Sequence, residues 1–229
     1  MSGPALAREV GLDRLPGMDK PTPALKRPRR PQAERSADTR AKLIEAAVSC
    51  LHRLGYAATT VTVVAHEAGV SRGAMTHQFP AKTDLMLAVV RAVFEKDGDQ
   101  YRRSVGLLSP IEWMRQLPAV MWEVISQPSG IAVMEIMLAS RSDPELAEKL
   151  RIIQQRIDVQ AHAWVIERHK EAGIVERPDG EAIHRVFVPA VRGLALEAVF
   201  MHNRAEVEKS IAVLSETLRH LYPALAETC

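Results

Sequence analysis

Residues 59–85 read TTVTVVAHEAGVSRGAMTHQFPAKTDL, and this stretch decides the fold of the chain. Apolar residues recur at helical spacing on both sides of Gly69-Val70-Ser71, which predicts two short helices joined by a tight turn. Gly69 can adopt the left-handed conformation that ends a helix, and the hydroxyl of Ser71 can cap the next one. The pattern favours a helix-turn-helix, although an ordinary helical hairpin inside a core would share these features.

Helix signals continue on the N-terminal side of this stretch and directly after it. Asp38 is a candidate N-cap for a helix that Gly55 can end, and Thr60 is a candidate N-cap for the next helix. Residues 81–96 form a good amphipathic pattern after Pro80. We therefore expect helices on both sides of the predicted turn.

The rest of the chain also carries helix signals and no convincing strand. Ser109 begins a capping box with Pro110 at the first helical position. Pro118 is expected to kink that helix, and Pro128 with Gly130 to end it. Further start and stop signals are Asp143, Gly173, either Asp179 or Gly180, Asn203 and Pro223. The sequence predicts an all-α protein of about nine helices.

The first 37 residues differ from the remainder. They hold six of the 14 prolines, show no apolar period and end in the basic stretch LKRPRRPQAER, so we predict a disordered, basic, proline-rich arm. The net charge is +4 over residues 1–37, +2 over residues 38–91 and −4 over residues 92–229. A basic front and an acidic back indicate contact with nucleic acid or a membrane at the basic end.

Composition excludes several classes of protein. The 229 residues are 47% hydrophobic, 4% aromatic and 25% charged, as in soluble globular chains rather than collagen-like or wholly disordered ones. Two cysteines, Cys50 and Cys229, fit a reducing compartment. No apolar run reaches the roughly 18 residues of a membrane span, and the N-terminus lacks the core of a signal peptide. We expect a cytoplasmic protein.

The segments RAKLIEAAVSCLHRLGYAATT and VVAHEAGVSRGAMTHQFPAKTDLM resemble the DNA-binding domain of the TetR/AcrR family of bacterial transcriptional repressors. The resemblance covers about residues 38–91. The matching residues are Gly55, Tyr56, Thr59, Thr60, Ala65, Ala68, Gly69, Val70, Ser71, Gly73, Phe79, Lys82 and Leu85. Weaker similarity in SRSDPELAEKLR and VRGLALEAVF extends to the family's C-terminal domain. The resemblance implies a three-helix DNA-binding domain at residues 38–91 and a helical ligand-binding and dimerisation domain at residues 92–229.

The resemblance also implies DNA contacts at named positions. Arg72, Ala74, Thr76 and His77 would read base edges, with Arg72 the best candidate for guanine. Thr60, Ser71 and Lys82 would bind phosphates, and Gln78 could join either group. Thr76 stands where the family usually has tyrosine, which alters the expected contact there. Phe79 is expected to be a core residue, as is Cys50.

The C-terminal helices are expected to hold a small-molecule effector and to form a homodimer. Candidate effector-binding residues are Trp113, Met121, Trp122, Met137, Arg141, Trp164 and Phe187, with Met114, Met134, His162 and Arg192 as further candidates. The expected dimer seam consists of Ile183, Phe187, Ala190, Leu194 and Met201 on one helix and Val207, Ile211, Leu214, Leu218 and Leu221 on the next, with Gly193 and Ala195 allowing close approach. Packing within one subunit would produce the same apolar faces.

These features together predict a ligand-responsive, sequence-specific DNA-binding regulator, a repressor that a small molecule releases from its operator. The sequence has no phosphate loop, nucleophile elbow or histidines at metal-ligand spacing, so we expect neither an enzyme nor a cofactor or metal. The alternative is a helical adaptor or membrane-surface protein. Pro28 and Pro31 disfavour the amphipathic helix that lipid binding would need beside the basic cluster, so no membrane partner is expected.

Overall fold

Helices account for all the regular structure in the part of the chain that the structure describes. The computed structural model describes residues 32–105, 107–201 and 203–225, with residues 104 and 105 described by their backbone alone. Within these ranges the chain forms ten α-helices, two short 3₁₀ turns (Ser140–Ser142 and Pro223–Leu225) and no strand. The all-α prediction is confirmed, with one helix more than expected.

The first three helices are α1 (Gln32–Ala58), α2 (Val61–Glu67) and α3 (Arg72–Gln78). Helix α1 begins six residues before Asp38, so the predicted start is wrong. Residues 32–37 contain no glycine, proline or β-branched residue to oppose a helix, and Glu34 lies in the positively polarised first turn. The last six residues of the predicted arm are therefore helical, while residues 1–31 lie outside the described residues.

Four helices follow: α4 (Lys82–Val105), α5 (Pro110–Arg115), α6 (Leu117–Ile125) and α7 (Pro128–Ala139). Pro118 does not kink one helix; the helix divides before it, and Pro118 lies in the first turn of α6, where its missing N–H is not needed. For the same reason Pro128 begins α7 instead of ending a helix. A Cβ on Gly130 would lie only 2.0 Å from the Ile125 carbonyl oxygen, so this glycine lets α7 pack against the end of α6.

The last three helices are α8 (Pro144–Glu171), α9 (Gly180–Met201) and α10 (Arg204–Leu221). The Asp143 side chain accepts from the Leu146 N–H at 3.0 Å, and the Asn203 side chain accepts from the Glu206 N–H at 3.3 Å. Gly173 has a φ of 67° directly after α8. The predicted caps and stop of these helices are confirmed.

One hydrophobic core joins α1–α4 to the later helices. Leu51, Phe79 and Leu85 from the N-terminal helices pack in the same buried cluster as Ile136 of α7 and Leu146 of α8. Helix α4 also passes without a break through residue 91, where the predicted DNA-binding domain ends. The helix-turn-helix is thus fixed to the C-terminal helices by a shared core.

Four of the ten residues of the predicted dimer seam are buried inside the subunit, which contradicts the prediction for these four. Phe187, Val207, Ile211 and Leu218 are buried, because α9 and α10 turn these faces towards α5 and α6. Met201 is exposed as predicted. Other large apolar side chains that α9 and α10 leave exposed are Val186, Val199, Phe200 and Val213.

Candidate nucleic-acid interface and ligand cavity

Helices α2 and α3 meet at a tight turn. Its conformation follows from a glycine with positive φ and from hydrogen bonds that close the helix ends. Gly69 has a φ of 64°, and the Val70 N–H donates to the Ala65 carbonyl oxygen at 3.0 Å, which closes the end of α2. The hydroxyl of Ser71 accepts from the Ala74 N–H at 3.2 Å and caps α3. Thr60 caps α2 in the same way through the Val63 N–H. The helix-turn-helix and both predicted caps are confirmed.

Helix α3 presents polar side chains on one side and a core residue on the other. Arg72, Thr76 and His77 are exposed, Ala74 is half-buried, and Met75 is buried. Arg72 makes no ion pair or hydrogen bond through its guanidinium with another described residue, whereas the Thr76 hydroxyl donates to the Arg72 carbonyl oxygen at 3.0 Å. The guanidinium of Arg72 is therefore available to an external acceptor.

The end of α3 is tied to α1. Gln78 donates through Nε2 to the Ser36 hydroxyl at 2.7 Å, and Arg40 donates to the Gln78 carbonyl oxygen at 3.4 Å. The Arg40 guanidinium also lies 4.4 Å from the centre of the Phe79 ring. Phe79 is 2% exposed, which confirms it as a core residue. Sequence reasoning did not select Arg40, because its contact with α3 joins positions 38 residues apart and leaves no local signal.

Lys82 lies at the start of α4 and is held against Tyr56. Its Nζ donates to the Tyr56 carbonyl oxygen at 2.7 Å and lies 3.8 Å from the centre of the tyrosine ring. Burial lowers the pKa of Lys82, and the nearby Asp143 carboxylate opposes that shift. An ammonium has three N–H donors, so this contact leaves donors for a phosphate.

A cavity of about 540 Å³ lies among α4, α6, α8 and α9. Three of the predicted effector-binding residues line it: Met121, Trp164 and Phe187. Met114, His162 and Arg192 line it as well. Its aromatic wall also contains Tyr101, which sequence reasoning did not select because the residue lies in a charged stretch of α4.

The other predicted effector-binding residues do not line this cavity. Trp113 is buried behind it, with its ring edge-on to Trp164 at 4.7 Å between centres. Trp122 faces α10, and Met137 packs against the core that α1–α4 share with α7 and α8. Arg141 is exposed in the 3₁₀ turn before α8. Periodicity does not reveal these positions, because tertiary packing decides which side chains face the cavity. Met134 is likewise buried between α6 and α9.

The polar groups of the cavity are in poorly solvated surroundings. Burial raises the pKa of Asp97 to about 7, and burial lowers the pKa of His169 and of His184. The Nδ1 atoms of His162 and His169 are buried without a hydrogen-bond partner among the described residues. Arg192 makes neither a hydrogen bond nor an ion pair within the same part of the chain, although Asp158 is near enough to oppose the lowering of its pKa by burial. The cavity wall thus combines nitrogen groups that lack a hydrogen-bond partner among the described residues with apolar side chains and the carboxyl groups of Asp97 and Asp158.

The described residues hold neither a membrane-spanning helix nor a cluster of metal-ligating side chains. None of their helices is long and apolar enough to cross a membrane. They contain no group of three or more histidine, cysteine or acidic side chains that could hold a metal ion. Cys50 is fully buried in the core, as predicted, and burial raises the pKa of its thiol.

Comparison with known proteins gives consistent matches. Residues 43–89 match the family model for bacterial regulatory proteins of the tetR family. The chain is 30% identical over 201 residues to the HTH-type transcriptional regulator CymR of Pseudomonas putida, a match that covers 85% of this chain and 96% of CymR. A TetR transcription regulator from Haloarcula marismortui has a similar structure, with a TM-score of 0.65, 20% identity and coverage of 81% and 99% of the two chains. A putative transcriptional regulator from Saccharomonospora viridis in complex with choline also has a similar structure, with a TM-score of 0.64, 17% identity and coverage of 81% of this chain and 98% of that chain.

Proposed function

Because the chain belongs to the tetR family of bacterial regulatory proteins, we propose that it is a repressor that binds operator DNA as a homodimer and is released by a small molecule. The observation that carries the proposal is helix α3, which is capped by Ser71 and presents an unpaired Arg72 beside Thr76 and His77. Such an exposed, polar second helix of a helix-turn-helix is suited to enter the major groove. Its site of action is the DNA of the cytoplasm, and it needs no catalytic group.

The residues of the interface divide into two roles. Arg72, Thr76 and His77 face outward on α3 and, with the half-buried Ala74, read base edges. Arg72 donates two hydrogen bonds to a guanine. Phosphates are bound by Lys82 and by the N-terminal ends of α2 and α3 at Thr60 and Ser71. Gln78 is already bonded to Ser36, so its role is to fix α3 against α1.

A homodimer places two copies of α3 on one face of the DNA. Half-sites one helical turn apart require recognition helices about 34–36 Å apart. The exposed apolar side chains of α9 and α10, among them Phe200, Met201 and Val213, form the surface that a second copy would cover. Exposed apolar groups of this size on two neighbouring helices favour protein contact over solvent.

The cavity among α4, α6, α8 and α9 is the effector site. Tyr101, Trp164 and Phe187 offer an apolar, aromatic wall, while His162 and Arg192 offer nitrogens without an acceptor. An effector that fits is a mostly apolar molecule with a polar group that bonds to these nitrogens. It would favour a conformation in which the two recognition helices no longer match the half-sites, which lowers DNA affinity by a coupling free energy of roughly 1–3 kcal/mol.

Fluorescence anisotropy tests the DNA-binding part of this proposal. The titration uses a labelled duplex from upstream of the protein's own gene and a random duplex of equal length, at several salt concentrations. We expect the upstream duplex to be bound at least tenfold more tightly at each salt concentration. Equal affinity for both duplexes at every salt concentration would favour the alternative, a helical adaptor or membrane-surface protein.

A further inference from the structure

The break in α1 leaves a backbone amide that a distant side chain binds. Gly55 has a φ of 74° and a ψ of 173°, so the helical hydrogen bonds stop there. The Tyr56 N–H donates instead to Oε2 of Glu135 at 2.9 Å, in a half-buried position. Glu135 belongs to α7, 79 residues further along the chain. A carboxylate of the C-terminal helices therefore completes the fold of the DNA-binding helices.

Glycine is required at position 55 for two reasons. Its positive φ is one that residues with a Cβ rarely adopt. A Cβ there would also lie 3.3 Å from Oε2 of Glu135, which is closer than an ordinary contact. The close approach of the Glu135 carboxylate to the backbone thus depends on the same glycine that interrupts the helix.

Glu135 and Lys82 bind the two peptide groups on either side of the Tyr56 Cα. Glu135 accepts from the N–H of Tyr56, and Lys82 donates to the carbonyl oxygen of the same residue at 2.7 Å. The Thr59 hydroxyl donates to the Gly55 carbonyl oxygen at 2.7 Å, and the next residue, Thr60, caps α2. The turn from α1 to α2 is consequently held from three sides, and Glu135 is its link to the C-terminal helices.

Helix α7 packs into both halves of the molecule. Ala132 and Ile136 lie in the core shared with the DNA-binding helices. Ile131 and Met134 lie in the cluster that contains Met121, a residue of the cavity wall. Glu135 stands between these two faces and contacts the backbone of α1.

We propose that Glu135 is a positioning residue for DNA binding, which holds the backbone of Tyr56 by its N–H and so sets the place of the Tyr56 carbonyl and of the Lys82 ammonium that donates to it. The proposal rests on the function proposed above, in which Lys82 binds a phosphate. A displaced Tyr56 carbonyl would move the Nζ that donates to it, and a misplaced cation loses most of its contact with a phosphate. The DNA affinity therefore depends on a carboxylate that touches no DNA.

The test is a double-mutant cycle in the full-length chain, read by anisotropy with the labelled upstream duplex. Glu135→Ala is expected to weaken binding about tenfold when Lys82 is present, the loss that one charge-assisted hydrogen bond corresponds to. In the Lys82→Ala background the same change is expected to alter binding less than about twofold. Equal losses in both backgrounds would overturn the proposal, because a purely structural role would not depend on Lys82.

If Glu135→Ala unfolds the chain, two conservative variants test the hydrogen bond of Glu135 instead. Glu135→Gln retains an oxygen acceptor at the same reach and is expected to bind DNA like the wild type. Glu135→Asp retains the charge but withdraws the acceptor and is expected to weaken binding as Glu135→Ala does. Rescue by aspartate and not by glutamine would contradict the hydrogen-bond role. Glu148→Ala, which removes one exposed carboxylate of α8, is the control for charge and is expected to have no effect.

The outcomes separate this inference from the proposed function. No preference of the wild type for the upstream duplex would overturn both. Preference in the wild type, with weaker binding by Lys82→Ala and unchanged binding by Glu135→Ala, would overturn the inference alone.

Discussion

The helix-turn-helix and the C-terminal helices satisfy their polar groups to very different degrees. Five buried side-chain polar atoms have no hydrogen-bond partner among the described residues, and all five belong to residues 122–169: Trp122 Nε1, Ser126 Oγ, His162 Nδ1, Arg168 Nε and His169 Nδ1. In residues 32–81 there is none. The DNA-binding end is closed and internally complete, whereas the C-terminal helices surround a cavity of about 540 Å³.

This difference matches two different tasks. A recognition helix must hold its side chains in one arrangement against the bases, so its caps and core leave nothing unpaired. A ligand site must keep space and free polar groups for a molecule from outside. Helix α7 packs into both regions, which makes the contrast a property of one connected molecule rather than of two independent parts.

The largest expected effect is on the free energy of unfolding when one aromatic residue is removed from each region. Phe79→Ala is expected to lower the free energy of unfolding by about 3–5 kcal/mol, because it empties a closed core. Phe187→Ala is expected to cost clearly less, because its side chain already borders a cavity. Urea denaturation monitored by circular dichroism measures both. Equal losses would break the contrast between a closed and an open core.

The next largest expected effect distinguishes residues that contact bases from residues that bind phosphates. Arg72→Ala is expected to remove roughly 1–3 kcal/mol of discrimination between the upstream duplex and a random one, because it deletes a base contact. Lys82→Ala is expected to weaken both duplexes alike and to flatten the dependence on salt. Anisotropy titrations at several salt concentrations distinguish the two. Arg156→Ala, which removes an exposed arginine of α8, is the matched control, and an equal loss in all three variants would refute the assignment of roles.

The smallest expected effect concerns the titration of Asp97 in the cavity. Burial raises the pKa of this carboxyl from 3.8 to about 7, so between about pH 4 and pH 7 the folded chain keeps a proton that the unfolded chain has lost. Its contribution to stability therefore falls as the pH rises through this window and stays level above pH 7.

The substitution Asp97→Asn removes this fall in stability, because asparagine does not titrate. We expect a melting temperature at least about 2–4 °C above the wild type at pH 8, since each kcal/mol shifts the melting temperature by about that amount in a chain of this size, and little difference at pH 4. Comparing variant with wild type at each pH cancels the opposite titration of His169 and His184. A difference that is the same at both pH values would show that Asp97 does not titrate in this window.

Sequence predicted the elements with local signals and missed those set by tertiary packing. The Ser71 cap, the Gly69 turn and the caps at Asp143 and Asn203 each depend on a residue and its neighbours within four positions, and all were predicted. The position of Pro128 at the start of α7 was not predicted, because a proline that can end one helix can equally begin the next.

Contacts over long sequence distances account for the remainder. The faces of α9 and α10 were assigned to a dimer because both burial inside a subunit and burial between subunits produce the same apolar period. Trp113 and Trp164 are equally plausible cavity residues by composition, and only packing sets one behind the other. Nothing in the sequence near Glu135 indicates its bond to Tyr56.

Footprinting tests directly the proposal that α3 of a homodimer reads DNA sequence. The wild-type protein is incubated with DNA from upstream of its own gene and the complex is treated with hydroxyl radicals. We expect two protected, symmetry-related half-sites about one helical turn apart, and loss of this pattern in Arg72→Ala. Uniform protection along the fragment, or a footprint that Arg72→Ala leaves unchanged, would contradict it.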